Sequence, residues 1–235
     1  MLFSSMTFIF LFMPIVCVVY LLAKKSLQNM LLLIASLLFY AWGGPNYLAI
    51  MLLNILINYT GALYIDRSVS QKKTFLTLTV VANLGILIYF KYCSFLIDNI
   101  NGLLSYDLPL LEVIMPIGIS FYTFQAMSYV IDVYRGEVKA QRNIYKLALY
   151  ISLFPQLVAG PIVKYHDVNH QIDNRTVTFR KVTYGVKRFI IGLSKKMLLA
   201  NTLGAVADKI FSQPVEQFDS ATAWIGAVAY ALQLF

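Results

Sequence analysis

The segment Met115–Gly136 carries small and polar residues at spacings of three or four positions, and its hydroxyl, amide and carboxyl groups can bind a substrate or hold a proton. On a helix of 100° per residue they fall within an arc of about 80°. They are Gly118, Tyr122, Gln125, Tyr129 and Asp132. Polar groups inside a bilayer face a cavity, water or another helix. The pattern therefore predicts a membrane helix with one polar face, on which Tyr122, Gln125 and Tyr129 are candidates for lining a substrate tunnel.

The alternative to a tunnel is a structural role, in which these side chains form hydrogen bonds between helices. Gln and Tyr readily form hydrogen bonds between membrane helices, so Gln125 fits either role equally well. Asp132 is expected to pair with Arg135, which follows it on the same face at the inner boundary.

Histidine is the usual general base near neutral pH, and the sequence contains only His166 and His170. Their spacing of four could place both on one helical face. Asp167 follows the first histidine where the metal-protease pattern requires glutamate, and the surroundings are loop-like, so no metal site is predicted. We expect both histidines to be solvated or interfacial, with contact between one of them and a donor molecule as the alternative.

The composition is that of an integral membrane protein. Hydrophobic residues make up 59% of the 235, charged residues only 13%, and the mean hydropathy is +0.70. The net charge of +8 and the 32 Tyr and Phe residues (16 of each) do not indicate a nucleic-acid-binding protein, because the basic residues lie beside apolar runs, as expected at a membrane surface. Cys17 and Cys93 lie in separate apolar runs and are expected to be small buried hydrophobes.

Five apolar runs have about the length that a bilayer core requires. They cover residues 2–23, 26–42, 47–65, 74–97 and 114–131. The connections between them alternate between basic and acidic or uncharged, which places the amino terminus outside the cell membrane. We expect residues 1–235 to form a single membrane domain, an all-α multi-pass bundle. The last apolar segment stops without a polar flank, so the chain is expected to be the amino-terminal part of a longer fold.

Residues 147–163 form a further apolar stretch, which is interrupted by Pro155 and by Gly160-Pro161. A full crossing would leave the basic segment 164–196 outside, against the positive-inside rule. A re-entrant segment that returns to the inner face avoids this conflict, and a kinked full span is the alternative.

The segment MPIGISFYTFQAMSYVIDVYRG, followed by LFPQLVAGPI, closely resembles the membrane-bound O-acyltransferase family. The amino-terminal MLFSSMTFIFLFMPIV and the later LLLIASLLFYAWGGPNYL are similar to its alginate O-acetyltransferase branch. The resemblance implies a many-helix enzyme of the cell inner membrane that moves an acyl group, in this branch acetyl, from a cytoplasmic thioester to a hydroxyl of a secreted or cell-surface polysaccharide. The catalytic histidine of the family lies beyond Phe235, so the resemblance assigns no catalytic residue here and implies that this part alone is inactive.

Further polar residues are candidates for binding the two substrates. Gln156, with its neighbouring prolines, joins the tunnel candidates as part of a wall near the reaction centre. Candidates for the donor side are Lys164, His166, Arg180 and Lys181, which could meet the phosphates of acetyl-CoA or the acidic surface of an acyl carrier protein. Anionic lipid is the alternative partner for most of the basic segment. No bound cofactor or metal is expected, and an extracytoplasmic acetyltransferase is a candidate partner.

Two other classes of function fit the same pattern. Broken membrane spans with polar residues at mid-depth also occur in secondary transporters, so a transporter or polysaccharide-export component is one alternative. A non-catalytic scaffold that recruits a partner through its basic inner face is the other.

Overall fold

The computed structural model describes residues 4–104, 109, 114–157, 161–214 and 219–234. Within these ranges the regular elements are all helical, as predicted. The helices are α1 (Phe8–Leu22), α2 (Lys25–Ala41), α3 (Pro45–Arg67), α4 (Lys72–Leu104), α5 (Ile119–Arg135), α6 (Ile144–Ser152), α7 (Phe154–Leu157), α8 (Tyr165–Asn174), α9 (Phe179–Ser194), α10 (Asn201–Phe211) and α11 (Ser220–Leu234).

Among the residues that the structure describes, three helical stretches are long and apolar enough to cross a membrane: Pro45–Arg67, Lys72–Leu103 and Phe179–Phe211. Two shorter apolar helices, Phe8–Leu22 and Lys25–Ala41, precede them. The first four predicted runs therefore coincide with α1 to α4, because each is a long apolar sequence bounded by charged or turn-forming residues. The chain is an integral membrane protein.

The contacts divide the chain into two compact units. The first covers Thr7–Arg175, and the second is built mainly from Thr176 onward. In the first unit α3 packs against α4 and α5, while α2 packs against α6. That all of residues 1–235 form a single domain stays a prediction.

The polar-faced helix begins later than the sequence suggests. Gly118 adopts φ +75°, a left-handed conformation that is not helical, and α5 starts at Ile119. The expectation that the helix includes Gly118 is therefore wrong: this glycine is its N-cap. A Cβ on Gly118 would lie 3.1 Å from the carbonyl oxygen of Leu157, so the start of α5 closely approaches the end of α7.

The apolar stretch 147–163 does not form one unbroken helix. The Asn143 side chain accepts a hydrogen bond from the Tyr145 amide and so caps the start of α6, which ends at Ser152. A helix of nine residues is about 14 Å long, roughly half of a bilayer core. The predicted break is thus present. The return to the inner face stays a prediction, since residues 158–160, which include Gly160, lie outside the described residues.

The expectation that both cysteines are buried is wrong. Cys17 is exposed and Cys93 is only partly covered. Both thiols lie on apolar membrane helices, where lipid can cover a side chain that no protein group contacts.

In the second unit a single helical stretch runs from Phe179 to Phe211, with a π-helical segment, Lys195–Ala200, between α9 and α10. Helix α11 packs against α10, and the buried residues at this contact are small: Gly204, Ala207, Gly226 and Ala229. Helix α9 buries none of its residues.

Candidate functional site

The carbonyl oxygen of Tyr150 is held by two glutamines that the sequence singles out. Gln125 Nε2 on α5 donates to it at 3.0 Å, and Gln156 Nε2 on α7 donates at 2.6 Å. Carbonyl groups in the last turn of a helix lose their backbone partners. The amides of Gln125 and Gln156 replace the missing donor, so they fix the break between α6 and α7 against α5.

The Phe154 backbone amide, which would donate to the Tyr150 carbonyl oxygen in a continuous helix, also has a hydrogen-bond partner. Phe154 N donates to Ser36 Oγ at 3.2 Å, and Ser36 Oγ donates to the Leu32 carbonyl oxygen at 2.7 Å. Ser36 is fully buried on α2. Because a buried amide without a partner is costly, this serine stabilises the break from the other side. The sequence pattern does not single out Ser36, because its signal is one serine within the apolar run LLLIASLL.

Three buried tyrosines lie beside this break. The ring centroid of Tyr165 lies 4.8 Å from that of Tyr129 and 5.1 Å from that of Tyr150, both in edge-on geometry. Tyr150 donates its hydroxyl to the Val163 carbonyl oxygen at 2.7 Å. Tyr129 OH accepts from the Gln141 backbone amide at 2.8 Å. These contacts join α5, α6 and α8, so the cluster determines where α8 begins.

The hydroxyl of Tyr165, the first residue of α8, forms two hydrogen bonds. Its hydroxyl accepts from Gln141 Nε2 at 2.8 Å and donates to Asn169 Oδ1 at 3.1 Å. Burial raises the pKa of Tyr165, and the hydrogen bond from Gln141 opposes that rise. The neutral phenol is therefore the form that this packing favours.

The tunnel candidates are in different environments. Tyr122 and Tyr129 are fully buried, Gln125 is 4% exposed, and Gln156 is only partly buried. The Tyr122 ring packs edge-on against Tyr40 at 6.1 Å. The bond from Gln125 to Tyr150 is the interhelical contact of the structural interpretation. Of the four candidates, Gln156 is the one whose side chain is partly open.

The predicted pairing of Asp132 with Arg135 is wrong. Arg135 Nη1 lies 3.9 Å from Glu137 Oε1 on the exposed surface, because the left-handed turn at Gly136 redirects the chain beyond α5. Asp132 remains 4% exposed, and its Oδ2 atom has no hydrogen-bond partner among the described residues. Asp132 is therefore a buried carboxyl group with an unused acceptor atom at the end of the polar face.

The four donor-side candidates divide between the two units. Lys164 and His166 lie at the start of α8 in the first unit, where both are exposed. Arg180 and Lys181 lie in the first turn of α9 in the second unit. Their grouping around one donor stays a prediction.

His166 and His170 lie in a helix, so the expectation of a loop-like context is wrong. Both side chains are exposed, and His166 Nε2 is 2.9 Å from Asp167 Oδ1. Within the part of the chain that the structure describes, no three His, Cys, Asp or Glu residues are grouped to hold a metal ion.

A buried asparagine network between α3 and α4 was also missed by sequence analysis. Asn54 Nδ2 and Asn58 Nδ2 donate to Asn83 Oδ1 at 2.7 and 2.9 Å, and Asn83 Nδ2 returns a bond to Asn58 Oδ1 at 3.0 Å. All three side chains are fully buried. The signal in the sequence is the spacing of four between two asparagines in an apolar span. The network holds α3 on α4, and α5 packs against both.

Comparison with known proteins agrees with the predicted resemblance. The family model for the membrane-bound O-acyltransferase family matches residues 70–235. Over its whole length the chain is 41% identical to a probable alginate O-acetylase AlgI of Pseudomonas putida and covers 50% of it. It is 39% identical to the protein of the same name from Pseudomonas aeruginosa, covering 46% of that sequence. It is 30% identical to a peptidoglycan O-acetyltransferase of Helicobacter pylori, covering 51%.

The chain spans about half the length of the curated relatives it matches. No solved structure matches it significantly. The family model nevertheless covers more than half of the 235 residues, including α5 and the broken segment after it. The chain belongs to the membrane-bound O-acyltransferase family.

Proposed function

We propose that the complete protein transfers an acyl group, in the first instance acetyl, from a cytoplasmic thioester to a hydroxyl group of a secreted or cell-surface polysaccharide. The observation that carries this proposal is the identity of about 40% with alginate O-acetylases along the whole chain. The similarity to a peptidoglycan O-acetyltransferase supports the same chemistry with another glycan as acceptor. Alginate or a related polymer is the acceptor that the higher identities favour.

In this proposal the first unit supplies a wall of the passage in which donor and acceptor meet. Gln125, which is buried, and Gln156, which is partly open, both donate a hydrogen bond to the Tyr150 carbonyl oxygen. These two bonds hold the broken segment α6–α7. Non-helical backbone at membrane depth is tolerated where it is buried in protein or lines a water-filled cavity, and the side chain of Gln156 is a part of this break that remains partly open. Gln156 is the residue that we assign to the passage, while Gln125 positions the wall.

The donor binds on the cytoplasmic side, where basic residues accumulate. Lys164 and His166 are exposed at the start of α8, and their position is determined by the tyrosine cluster. Cationic side chains there suit the phosphates of acetyl-CoA or the acidic surface of an acyl carrier protein. The positive-inside rule then places the amino terminus outside the inner membrane. An extracytoplasmic acetyltransferase would receive the acyl group or complete the transfer.

General-base catalysis belongs, in this proposal, to a histidine in the remainder of the complete protein. Transfer to a hydroxyl needs a base with a pKa near neutrality, and the two histidines of this chain are both exposed on α8 and make none of the hydrogen bonds that hold the Tyr150 carbonyl. Residues 1–235 alone are therefore expected to be inactive. Turnover by these residues alone, with a purified donor and acceptor, would contradict this assignment.

The test is transfer of isotopically labelled acetyl from a thioester to the polysaccharide by membranes that contain the complete protein. Gln156→Ala is expected to lower the transfer rate by about tenfold or more, because a small displacement of a substrate wall costs this much. Gln28→Ala is the matched control, since Gln28 also donates its amide to backbone carbonyl oxygens, those of Tyr20 and Ala23. Absence of transfer to any glycan by the wild-type protein would contradict the proposed function.

A further inference from the structure

The cations of α9, together with Lys195 immediately after it, lie on one side of the helical stretch. On a wheel of 100° per residue, five cations fall within an arc of about 120°. They are Arg180, Lys181, Lys187, Arg188 and Lys195. The hydroxyl of Tyr184 lies in the middle of this arc and accepts a hydrogen bond from Arg188 Nη1 at 2.8 Å. We call this surface the basic arc.

The opposite side of α9 is apolar. Phe179, Val182, Val186, Phe189, Ile190 and Leu193 fall within about 100° and are centred opposite the basic arc. None of them is buried, and Phe179 is 88% exposed. We call this surface the apolar arc. A helix with one strongly basic side and one apolar side is typical of helices that lie in a membrane interface.

The basic arc has no acidic partners nearby in the sequence. From Thr176 to Ala207 there are six Lys or Arg residues and no Asp or Glu. The ion pairs found among the described residues all lie elsewhere, in α8 and around Arg135 and Lys146. The charge of α9 is therefore available to an external anionic partner.

The length of the helix places α9 at the membrane surface. Phe179–Phe211 has 33 residues, which corresponds to about 50 Å against a hydrocarbon core of about 30 Å. We assign the excess length to the amphipathic part of this stretch, α9. The π-helical segment Lys195–Ala200 separates it from α10, and bends in long helices commonly occur at such segments.

We propose that α9 is an interfacial helix that binds anionic phospholipids, with the apolar arc at the acyl-chain boundary and the basic arc against the headgroup phosphates. Arg180 and Lys195 are about 22 Å apart along the axis, which spans several headgroups and exceeds one nucleotide pyrophosphate. An acidic carrier protein on the basic arc would leave the apolar arc in water. A lipid surface satisfies both arcs at once.

A shallow groove on the basic arc offers a place for one headgroup. It has a volume of about 390 Å³ and is lined by Tyr184, Lys187, Arg188, Ile191, Gly192 and Lys195. Nothing lies within 4 Å of the position of a Cβ on Gly192, so the backbone there is open. Three cations around an open backbone notch suit a phosphate group.

The test places a fluorophore on the apolar arc (Val186→Cys) or on the basic arc (Tyr184→Cys) of the complete protein, after removal of its native cysteines, including Cys17 and Cys93. The labelled protein is reconstituted in nanodiscs of phosphatidylcholine, or of equal parts phosphatidylcholine and phosphatidylglycerol. With the anionic lipid, quenching of the Val186 label by the neutral quencher acrylamide is expected to be about threefold weaker than with phosphatidylcholine alone.

The charge variant combines Lys187→Gln, Arg188→Gln and Lys195→Gln, and it is expected to abolish the difference between the two lipids. Its matched control, Lys72→Gln with Lys73→Gln at the start of α4, is expected to retain the difference. Equal quenching in both lipids would overturn the proposal. So would protection of the Val186 label only by added acyl carrier protein, or its protection in every lipid and in detergent, which would mean that protein covers the arc.

Discussion

The first unit buries polar side chains, whereas α9 in the second unit buries nothing. Asn54, Asn58, Asn83, Ser36 and Gln125 are all buried between helices, and each has a hydrogen-bond partner. In α9 both the cations and the apolar residues face outward. The difference shows that the polar groups of this chain serve two purposes. In the first unit they join helices, and in α9 they meet a surface outside the chain.

The largest effect is expected for the asparagine network. Asn83→Ala removes three interhelical hydrogen bonds and leaves Asn54 and Asn58 buried with unsatisfied groups. Unfolding in mixed detergent micelles is expected to show a loss of about 3 kcal/mol. Asn201→Ala is the matched change in the second unit, because Asn201 is exposed and its Nδ2 atom donates to Met197 Sδ at 3.5 Å within the same helical stretch. A loss of equal size in both variants would remove the contrast between the units.

A second contrast compares two glycines with nearly the same backbone conformation. Gly118 has φ +75° and lies against the Leu157 carbonyl oxygen, whereas Gly136 has φ +77° and open space around it. Gly118→Ala is expected to lower the free energy of unfolding by about 2 kcal/mol, and Gly136→Ala by about 1 kcal/mol. The same denaturant titration measures both. Equal losses would mean that α5 does not approach α7 as closely as described.

The third prediction concerns alkaline pH. The raised pKa of Tyr165 means that the folded state favours the neutral phenol, so its contribution to stability is complete below the unfolded pKa, near 10, and is lost as the pH rises beyond it. Tyr165→Phe is expected to cost about 1 kcal/mol at pH 8 and to flatten the loss of stability between pH 9 and 11. The midpoint of thermal unfolding across this range measures the effect. Tyr184→Phe, on the exposed basic arc, is the control for loss of a tyrosine hydroxyl and is expected to change the unfolding midpoint at pH 8 little.

The smallest effect is expected at the start of α11. Asp219 Oδ1 accepts a hydrogen bond from the Thr222 amide at 2.7 Å, and hydrogen bonding from the Thr222 side chain, together with this amide bond, lowers the pKa of Asp219. The Asp219 carboxylate therefore stabilises the start of α11 at pH values above the unfolded pKa, near 4. This stabilisation is lost as the pH falls through the lower pKa of the folded state. Amide exchange in the first turn of α11 is expected to be faster at pH 3 than at pH 6, after correction for intrinsic rates. Asp219→Ala should remove that difference.

Much of this architecture could be predicted from local pattern. The apolar runs predict α1 to α4, and the spacing of Tyr122, Gln125 and Tyr129 correctly predicts a buried polar face on α5. The partners of those side chains could not be predicted. Tyr150 is 25 positions from Gln125, and Ser36 is 118 from Phe154, so their contacts depend on how the helices pack. The pairing of Arg135 was missed because it depends on the left-handed turn at Gly136.

Thiol accessibility at Gln125 and Gln156, the two glutamines that bind the Tyr150 carbonyl, distinguishes a break that lines a passage from one that is sealed in the complete protein. We expect Gln156→Cys to react with a water-soluble reagent, a non-hydrolysable acetyl thioester analogue to slow this reaction, and Gln125→Cys to remain unreactive. His170→Cys, exposed on α8, serves as the reactive control. An unreactive Gln156→Cys, or a reaction whose rate the analogue does not change, would contradict the assignment of the α6–α7 break to the wall of the acyl-transfer passage.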